Sequence, residues 1–385
     1  LTITSMPLSK ETFIVTKDNL TKEIDVDDSA GRSVPRNMNF NEEGYLIKDT
    51  GYIPTGLATD DLAHSLFYYE KKNGTSYFIR ALATTLQVYS FQDRAWSNIA
   101  GSPTFTSDAQ FGYQVYNDDL YLGNGVESLF KWNGTTFTEY ASAPKGNILQ
   151  IFEDRLFIAG VTAEPLSAYY SNTGVPSTFS GTDVIKPLGT DRINGLINYY
   201  GTLLIFKQDS IWKLTFVFDQ VVSLFVPKLE LQSQNYGACS IRAVTWVEND
   251  VWFFTGKEVR SIGYKDQQIG ILGVNNSVIS DSLKETLSKI KTENYSKVVV
   301  FYENRRFYLQ VVEASATSGT TFVCHLLYQN NWTKYANRDK SKMGSAVVIG
   351  GIIYSSNAFS PYGVVKWTVE TEDALTQNLY LTTET

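Results

Sequence analysis

The sequence predicts an all-β protein in which four-stranded sheets repeat around one axis, the architecture of a β-propeller. Aromatic side chains make up 14% of the 385 residues, with 24 Tyr, 22 Phe and 7 Trp, and such residues favour pleated, half-buried strands. From about residue 64 onward, short apolar runs alternate with Asn, Asp and Gly turns, which is the pattern of successive hairpins. Helical periodicity is almost absent, so the chain is expected to be built from strands.

The clearest unit is FGYQVYNDDLYLGNGVESLFKWNGTTFTEYA, residues 111–141. Turn residues occupy 117–119 and 123–125, and Asn133-Gly134 is a signal for a tight hairpin. The unit therefore predicts four antiparallel strands in a meander.

The same pattern recurs along the chain at an interval of roughly 40 to 50 residues, which is typical of propeller blades. It predicts seven blades, with six or eight also compatible, near 64–100, 104–142, 146–188, 191–231, 237–280, 296–337 and 344–380. Second strands of these blades are expected at 154–158, 201–206, 250–254 and 304–309.

The first sixty residues carry more charge and fewer aromatic side chains than the rest. We expect residues 1–60 to form an N-terminal arm and a ring-closing strand, and residues 61–385 to form the propeller. Residues near 36–53 would then pair with strands beyond residue 344. A partner-binding arm is the alternative for residues 1–60. Because the chain opens at Leu1 and stops on a strand-like run, we expect it to be a piece of a longer polypeptide.

One segment, SDSLKETLSKI, interrupts the strand pattern. Ser280 or Asp281 can cap a helix, and Leu283, Leu287 and Ile290 fall on one helical face. A helical connector between two blades is predicted here.

The sequence offers few side chains for catalysis or metal binding. Its two histidines, His64 and His325, are far apart and form no H-x-x-x-H pair, the spacing that zinc sites use on a helix. Its two cysteines, Cys239 and Cys324, lie in apolar runs and are expected to be buried free thiols. No catalytic, cofactor-binding or metal-ligating residue is predicted, and no cofactor.

Acidic pairs were the remaining candidates for enzyme chemistry, because glycosidases use two carboxylates. The pairs 118–119, 153–154 and 60–61 all fall where a hairpin should turn, so they are interpreted as solvated turn residues. No phosphate-binding glycine loop is present. The net charge of −7 argues against a surface that grips nucleic acid, and no apolar run is long enough to span a bilayer.

Three stretches resemble a known family. RNMNFNEEGYLIKDTGY, residues 36–52, is similar to the opening of propeller proteins in bacteriophage tails. DRLFIAGVTAEPLSAYYSNTGVPSTFS, residues 154–180, resembles their most recognisable blade, and GLINYYGTLLIFKQDSIWKL, residues 195–214, has the look of the strand pair that follows. The family is that of the tail nozzle (tail tubular protein B) and the tail hub or stabilisation proteins of short-tailed phages.

The resemblance implies a non-enzymatic virion protein, made in the host cytoplasm and assembled into the phage tail. It implies a homohexamer that forms part of the distal channel for genome ejection, with the portal or adaptor side and the tail fibres or spikes as partners. DNA would be a passing cargo, and an acidic lining would not hold it.

Two other functions remain open at this stage. A ligand- or receptor-binding propeller, for example one that binds carbohydrate, would show a central or top pocket lined by exposed Trp and Tyr. Phe359 and Tyr362 could stack on a sugar, although packing at a blade rim is the simpler interpretation. A propeller glycosidase or lyase would need carboxylates that converge at the axial end of several blades.

Overall fold

The computed structural model describes residues 38–40, 46–48, 51–56, 63–266, 271–272, 278–312, 319–328, 330–335, 345–356 and 363–368. Seven sheets of three or four antiparallel strands follow one another along this part of the chain. The first strands lie side by side in five of the seven neighbouring pairs of sheets, including the pair formed by the last sheet and the first, so the sheets stand around a common axis. The predicted seven-bladed β-propeller is confirmed.

Blades 1 to 4 are complete four-stranded meanders, each beginning with its innermost strand. Blade 1 has the strands Ala63–Glu70, Ser76–Leu82, Thr85–Ser90 and Ala95–Asn98. Blade 2 has Gly112–Tyr116, Asp119–Gly123, Leu129–Trp132 and Phe137–Tyr140. Blade 3 has Ile148–Phe152, Arg155–Ala159, Ala168–Asn172 and Val175–Ile185. Blade 4 has Ile193–Tyr199, Thr202–Lys207, Ile211–Asp219 and Leu224–Ser233.

Blades 5 to 7 complete the ring. Blade 5 has Val244–Val247, Asp250–Phe254 and Val259–Ser261. Blade 6 has Val299–Glu303, Arg306–Val312, Gly319–His325 and Asn331–Tyr335. Blade 7 has Ala346–Ile349, Ile352–Ser356, Val364–Thr368 and, from the other end of the chain, Gly51–Pro54. The four predicted second strands all lie at the second position of their blades.

An N-terminal strand closes the ring, as predicted. Gly51–Pro54 pairs antiparallel with Val364–Thr368 and supplies the outermost strand of blade 7. The pairing is narrower than the expected 36–53, because Met38–Phe40 and Leu46–Lys48 pair with each other instead. Met38–Phe40 lies beside the outer strand of blade 6.

Blade 5 departs from the four-strand pattern. Within the described residues its ladder ends at the third strand, and only a bridge between Arg260 and Val278 continues it. Along the chain, a separate hairpin formed by Tyr264–Asp266 and Ile271–Leu272 lies between Arg260 and Val278. Residues 267–270 and 273–277 lie outside the described residues, so the fourth strand expected within 237–280 stays a prediction for this blade.

The connector contains a 3-10 turn at Asp281–Leu283, a single α-helix (α1, Lys284–Ser288) and a second 3-10 segment at Thr292–Lys297. Another 3-10 turn, Leu326–Tyr328, lies in blade 6. Leu283, Leu287 and Ile290 are buried, as the apolar spacing predicted.

Neither of the two predicted residues, Ser280 and Asp281, caps the helix, whose N-cap is Leu283. Ser280 occupies the N-cap position of the preceding 3-10 turn without a side-chain capping bond. Its hydroxyl instead accepts a hydrogen bond from the Val259 amide at 2.8 Å. The serine therefore ties the connector to the edge of blade 5.

Aromatic rings fill the wedges between blades, which explains the high aromatic content. Between blades 1 and 2, Trp132 meets Tyr69 and Tyr77 at centroid distances of 5.6 and 4.8 Å. Between blades 6 and 7, Trp367 packs edge-on against Phe301 and Tyr308. Such contacts cover both faces of each sheet, which a single four-stranded sheet cannot do by itself.

A buried ion pair fixes the link between blades 3 and 4. The Lys207 ammonium is fully buried and lies 3.1 Å from Asp191, and it donates hydrogen bonds to the carbonyls of Leu188 and Gly189 at 3.0 Å. Burial raises the pKa of Asp191, but hydrogen bonds from the Asp209 amide and from Lys207 outweigh it and leave the pKa below the usual 3.8. The connection between blades 3 and 4 is therefore held in place by the Lys207 ammonium, which is buried and has Asp191 and two carbonyls as its acceptors.

Candidate functional site

The first hairpin of most blades turns at one side of the ring, which we call the turn face. Its turns are the residue pairs 117–118, 153–154, 200–201, 248–249, 304–305 and 350–351, each joining an inner strand to the second strand. Positive φ occurs at both positions in five of the six, the mark of type I′ turns, whose twist matches that of the strands. The Tyr200 hydroxyl donates to the Asn249 carbonyl at 2.9 Å, so neighbouring turns touch.

The acidic pairs lie at these turns. Asp118 accepts the Lys72 amide at 2.6 Å, and Asp119 forms an ion pair with Lys131 at 2.9 Å. Glu153 and Asp154 are exposed. Their interpretation as turn residues is confirmed, and the pair 60–61 lies outside the described residues.

The opposite side of the ring is crossed by an arginine. Arg242, just before the inner strand of blade 5, donates from one guanidinium nitrogen to the His64 carbonyl at 2.8 Å and to the Ser65 hydroxyl at 3.0 Å. Both acceptors belong to blade 1, which is not adjacent to blade 5. The Arg242 carbonyl in turn accepts the Val300 amide of blade 6 at 2.9 Å. One residue therefore links three blades and closes the propeller axis at this end.

A cavity of about 580 Å³ lies along the inner strands of blades 2 to 5. The amides of Gln114, Gln150 and Asn198 line it, together with Arg242 and the partly exposed Trp246. Arg242 is the one charged residue of this lining, and burial lowers its pKa to about 10, so it is cationic at neutral pH. The cavity is polar, axial and weakly positive.

Both histidines and both cysteines are buried in the folded protein. Burial lowers the pKa of His64 to about 4 and that of His325 to about 3, so both are neutral at pH 7. They belong to blades 1 and 6 and are not brought together. Cys239 and Cys324 are buried free thiols, as predicted, and burial raises the pKa of Cys239 to about 12.

A long hairpin in blade 4 was not singled out by the sequence. Its strands Ile211–Asp219 and Leu224–Ser233 are nearly twice the usual length here. Leu203 of the second strand pairs with Leu214 of the third, so Thr202, where the second strand begins, lies opposite Thr215. Residues 216–227, which we call the finger, thus project by about 13 Å, or four residues at about 3.3 Å each, beyond the turn face.

Apolar side chains cover the tip of the finger. Val221 is 93% exposed, Leu224 64%, Phe225 62% and Phe218 55%. Phe218 and Phe225 are directly opposite in the ladder with ring centroids 5.4 Å apart. The root is anchored, because Phe216 packs against Tyr170 and lies under the Arg155 guanidinium of blade 3.

Phe359 and Tyr362 lie outside the described residues. In the described part of the chain, no three His, Cys, Asp or Glu side chains are grouped to hold a metal ion. Nor does any helix there have the length and apolarity to cross a membrane.

Comparison with known proteins adds fold-level likeness only. No family model and no curated protein matches the chain. Among solved structures, YCF48 bound to D1 peptide is 8% identical (TM-score 0.48, 88% of this chain and 98% of that chain). A chain of the mitotic checkpoint complex is 11% identical (TM-score 0.49, 86% and 97%), and the computationally designed Ika8 protein is 10% identical (TM-score 0.44, 82% and 98%). These likenesses carry no argument about function.

Proposed function

We propose that this chain is a structural subunit of a bacteriophage tail, a nozzle or hub protein that acts by assembly rather than by catalysis. Copies of it, in a homohexamer, would form part of the distal channel through which the genome leaves. The portal or adaptor side and the tail fibres or spikes would be its neighbours in the virion.

The resemblance to tail nozzle and hub proteins supports this proposal at two adjoining blades. The similar stretch 154–180 covers the second and third strands of blade 3 and enters its fourth. The stretch 195–214 covers most of the first three strands of blade 4. These are the blades that carry the finger and its root.

The observation that carries the proposal is the finger itself. Single apolar side chains on a surface are ordinary, but a contiguous apolar patch of several hundred Å² marks an interaction surface. Here such a patch stands on a rigid ring. A protein that works by assembly needs this combination of a stiff body and an uncovered contact element.

The closed axis constrains how such a protein could pass DNA. Arg242 bonds across the propeller axis to blade 1, so a duplex has no route through a single ring. A channel would have to form on the common axis of several copies. With a net charge of −7 per chain, its wall would repel phosphate and let DNA slide.

The test is the size and shape of the purified chain. Light scattering and negative-stain electron microscopy should show a closed ring of several copies around an opening wide enough for a DNA duplex. A monomer at tens of micromolar, or assemblies without an opening, would overturn the proposal.

The axial cavity supports a second candidate, a module that binds a carbohydrate. Amide side chains such as Gln150 offer both donors and acceptors to hydroxyl groups, and Trp246 offers a ring face. Thermal stabilisation by one sugar from a panel, lost in Gln150→Leu, would favour it. Equal midpoints with every sugar would eliminate it.

A further inference from the structure

The finger is apolar on more than one side, which limits what can cover it. Phe218 and Phe225 share one face of the ribbon, and Val217 and Val226 lie opposite each other on the other face, since side chains alternate along a strand. Val221, in the connecting loop, is the most exposed of the large apolar side chains. A flat partner would cover one face only, so the finger requires a partner that surrounds it.

The edge of the finger is protected even though its tip is not. The outer strand of blade 4 carries Pro227, which has no amide hydrogen to donate, followed by Lys228. Proline and lysine on an outer strand discourage pairing with a further strand. Contact is therefore made through side chains at the tip rather than by extension of the sheet.

The uncovered area has the size of an interface. Since a large aromatic side chain presents about 200 Å² in full, the six apolar side chains at 217, 218, 221, 222, 224 and 225 leave on the order of 600 Å² uncovered. One side of a standard protein interface has about 800 Å². The receiving surface of the neighbouring copy would lose a similar area, so one contact would bury about 1,200 Å² in total, the lower end of the range for specific interfaces.

Charge argues against a lipid surface as the occupant. Asp219 stands at the tip, where its carboxylate accepts the Val221 amide at 2.7 Å, and insertion would carry it into the hydrocarbon. Glu153 and Asp154 are exposed at the turn of blade 3. The next residue, Arg155, lies over the Phe216 ring at the finger's root. Anionic headgroups would be repelled by these acids and by the net charge of −7.

We infer that the finger is the element by which copies of this chain contact one another, inserting its apolar tip into a neighbouring copy. This inference rests on the proposed assembly function and names its contact. The outer strand of blade 4 does not pair with a strand of the neighbouring copy, and removal of the tip's apolar side chains separates the copies.

The test compares three purified proteins by light scattering at tens of micromolar: the unmodified chain, a tip variant and a control variant. The tip variant replaces Phe218, Val221, Leu224 and Phe225 by threonine, which keeps strand propensity and leaves the Phe216 root in place. The control variant, Leu188→Thr with Val126→Thr, removes two exposed apolar side chains outside the finger. Circular dichroism and the thermal midpoint verify that all three are folded.

We expect the unmodified chain and the control variant to be the same oligomer, and the tip variant to have the mass of one chain. An unchanged oligomer in the tip variant would overturn the inference while leaving the tail proposal standing. A tip-dependent pair without a ring would uphold the contact and overturn the tail proposal. A monomeric unmodified chain, or tip-dependent flotation with phosphatidylcholine vesicles, would overturn the contact between copies.

Discussion

Replacement of Lys207 by methionine should destabilise the ring strongly, because it leaves the Asp191 carboxylate without its cation and two carbonyls without the ammonium donor. The Lys207 side chain has no exposure and that of Asp191 has 20%. Breaking a buried pair by removing one partner typically costs about 3 to 5 kcal/mol. Methionine fills a similar volume, so the loss reports the unpaired groups rather than a cavity.

The neighbouring Lys186 provides a matched control. It also pairs with a carboxylate, Glu164 at 3.1 Å, but the two side chains are 56% and 49% exposed. Exposed pairs contribute about 0 to 1 kcal/mol. Lys186→Met removes the same chemical group from the connection that Lys207 contacts, without unpairing a buried charge.

Two assays measure the loss of stability: urea unfolding monitored by fluorescence, and thermal unfolding, which gives the midpoint temperature. With an unfolding entropy of about 2.1 cal/mol/K per residue, a loss of about 4 kcal/mol in a chain of 385 residues lowers the midpoint by about 5 °C. Lys186→Met should shift it by no more than about 1 °C. Equal shifts in the two variants would refute the claim that burial gives the Lys207 pair its importance.

Two further predictions concern titration and turn geometry. The folded-state pKa values of His64 and His325 lie near 4 and 3, against 6.5 in the unfolded chain. The unfolded chain therefore binds two protons that the folded protein does not, so the free energy of unfolding should be highest above pH 6.5 and fall as the pH drops to 5. The slope should reach about 3 kcal/mol per pH unit for two protons. Urea unfolding across this window measures the slope, and the double variant with glutamine at both positions should flatten it; an unchanged slope would exclude the histidines as its source. The double substitution Glu153→Asn and Asp154→Gly should raise the free energy of unfolding by about 1 kcal/mol, because both residues have positive φ in a turn type that favours Asn-Gly. A loss of stability in the same assay would show that the two acidic side chains stabilise the fold by contacts of their own.

The regular parts of the ring were predictable because they depend on local pattern. Alternating aromatic and β-branched residues between Asn, Asp and Gly turns define each meander, and the unit 111–141 is found as expected. The last turn of this unit is longer than the tight hairpin that Asn133-Gly134 predicts. Asn133 begins a four-residue loop, in which its side-chain oxygen accepts hydrogen bonds from the amides of Thr135 and Thr136. Turn length depends on such side-chain bonds as well as on the Asn-Gly signal.

The candidate sites were not predictable because they depend on distant or missing neighbours. The finger's sequence FVFDQVVSLFVP looks like any core hairpin, and its exposure follows only from the short second strand beside it. Arg242 meets His64 across 178 residues of sequence, which no local pattern records.

Closure of the ring by the N-terminal strand is tested most directly by amide hydrogen exchange in the strand Val364–Thr368. In the full chain its amides should be protected, since it pairs with Ile352–Ser356 on one side and Gly51–Pro54 on the other. In a chain that begins at residue 57, the amides that face the lost strand should exchange quickly and the thermal midpoint should fall. Unchanged protection and an unchanged midpoint would contradict the closed seven-bladed ring.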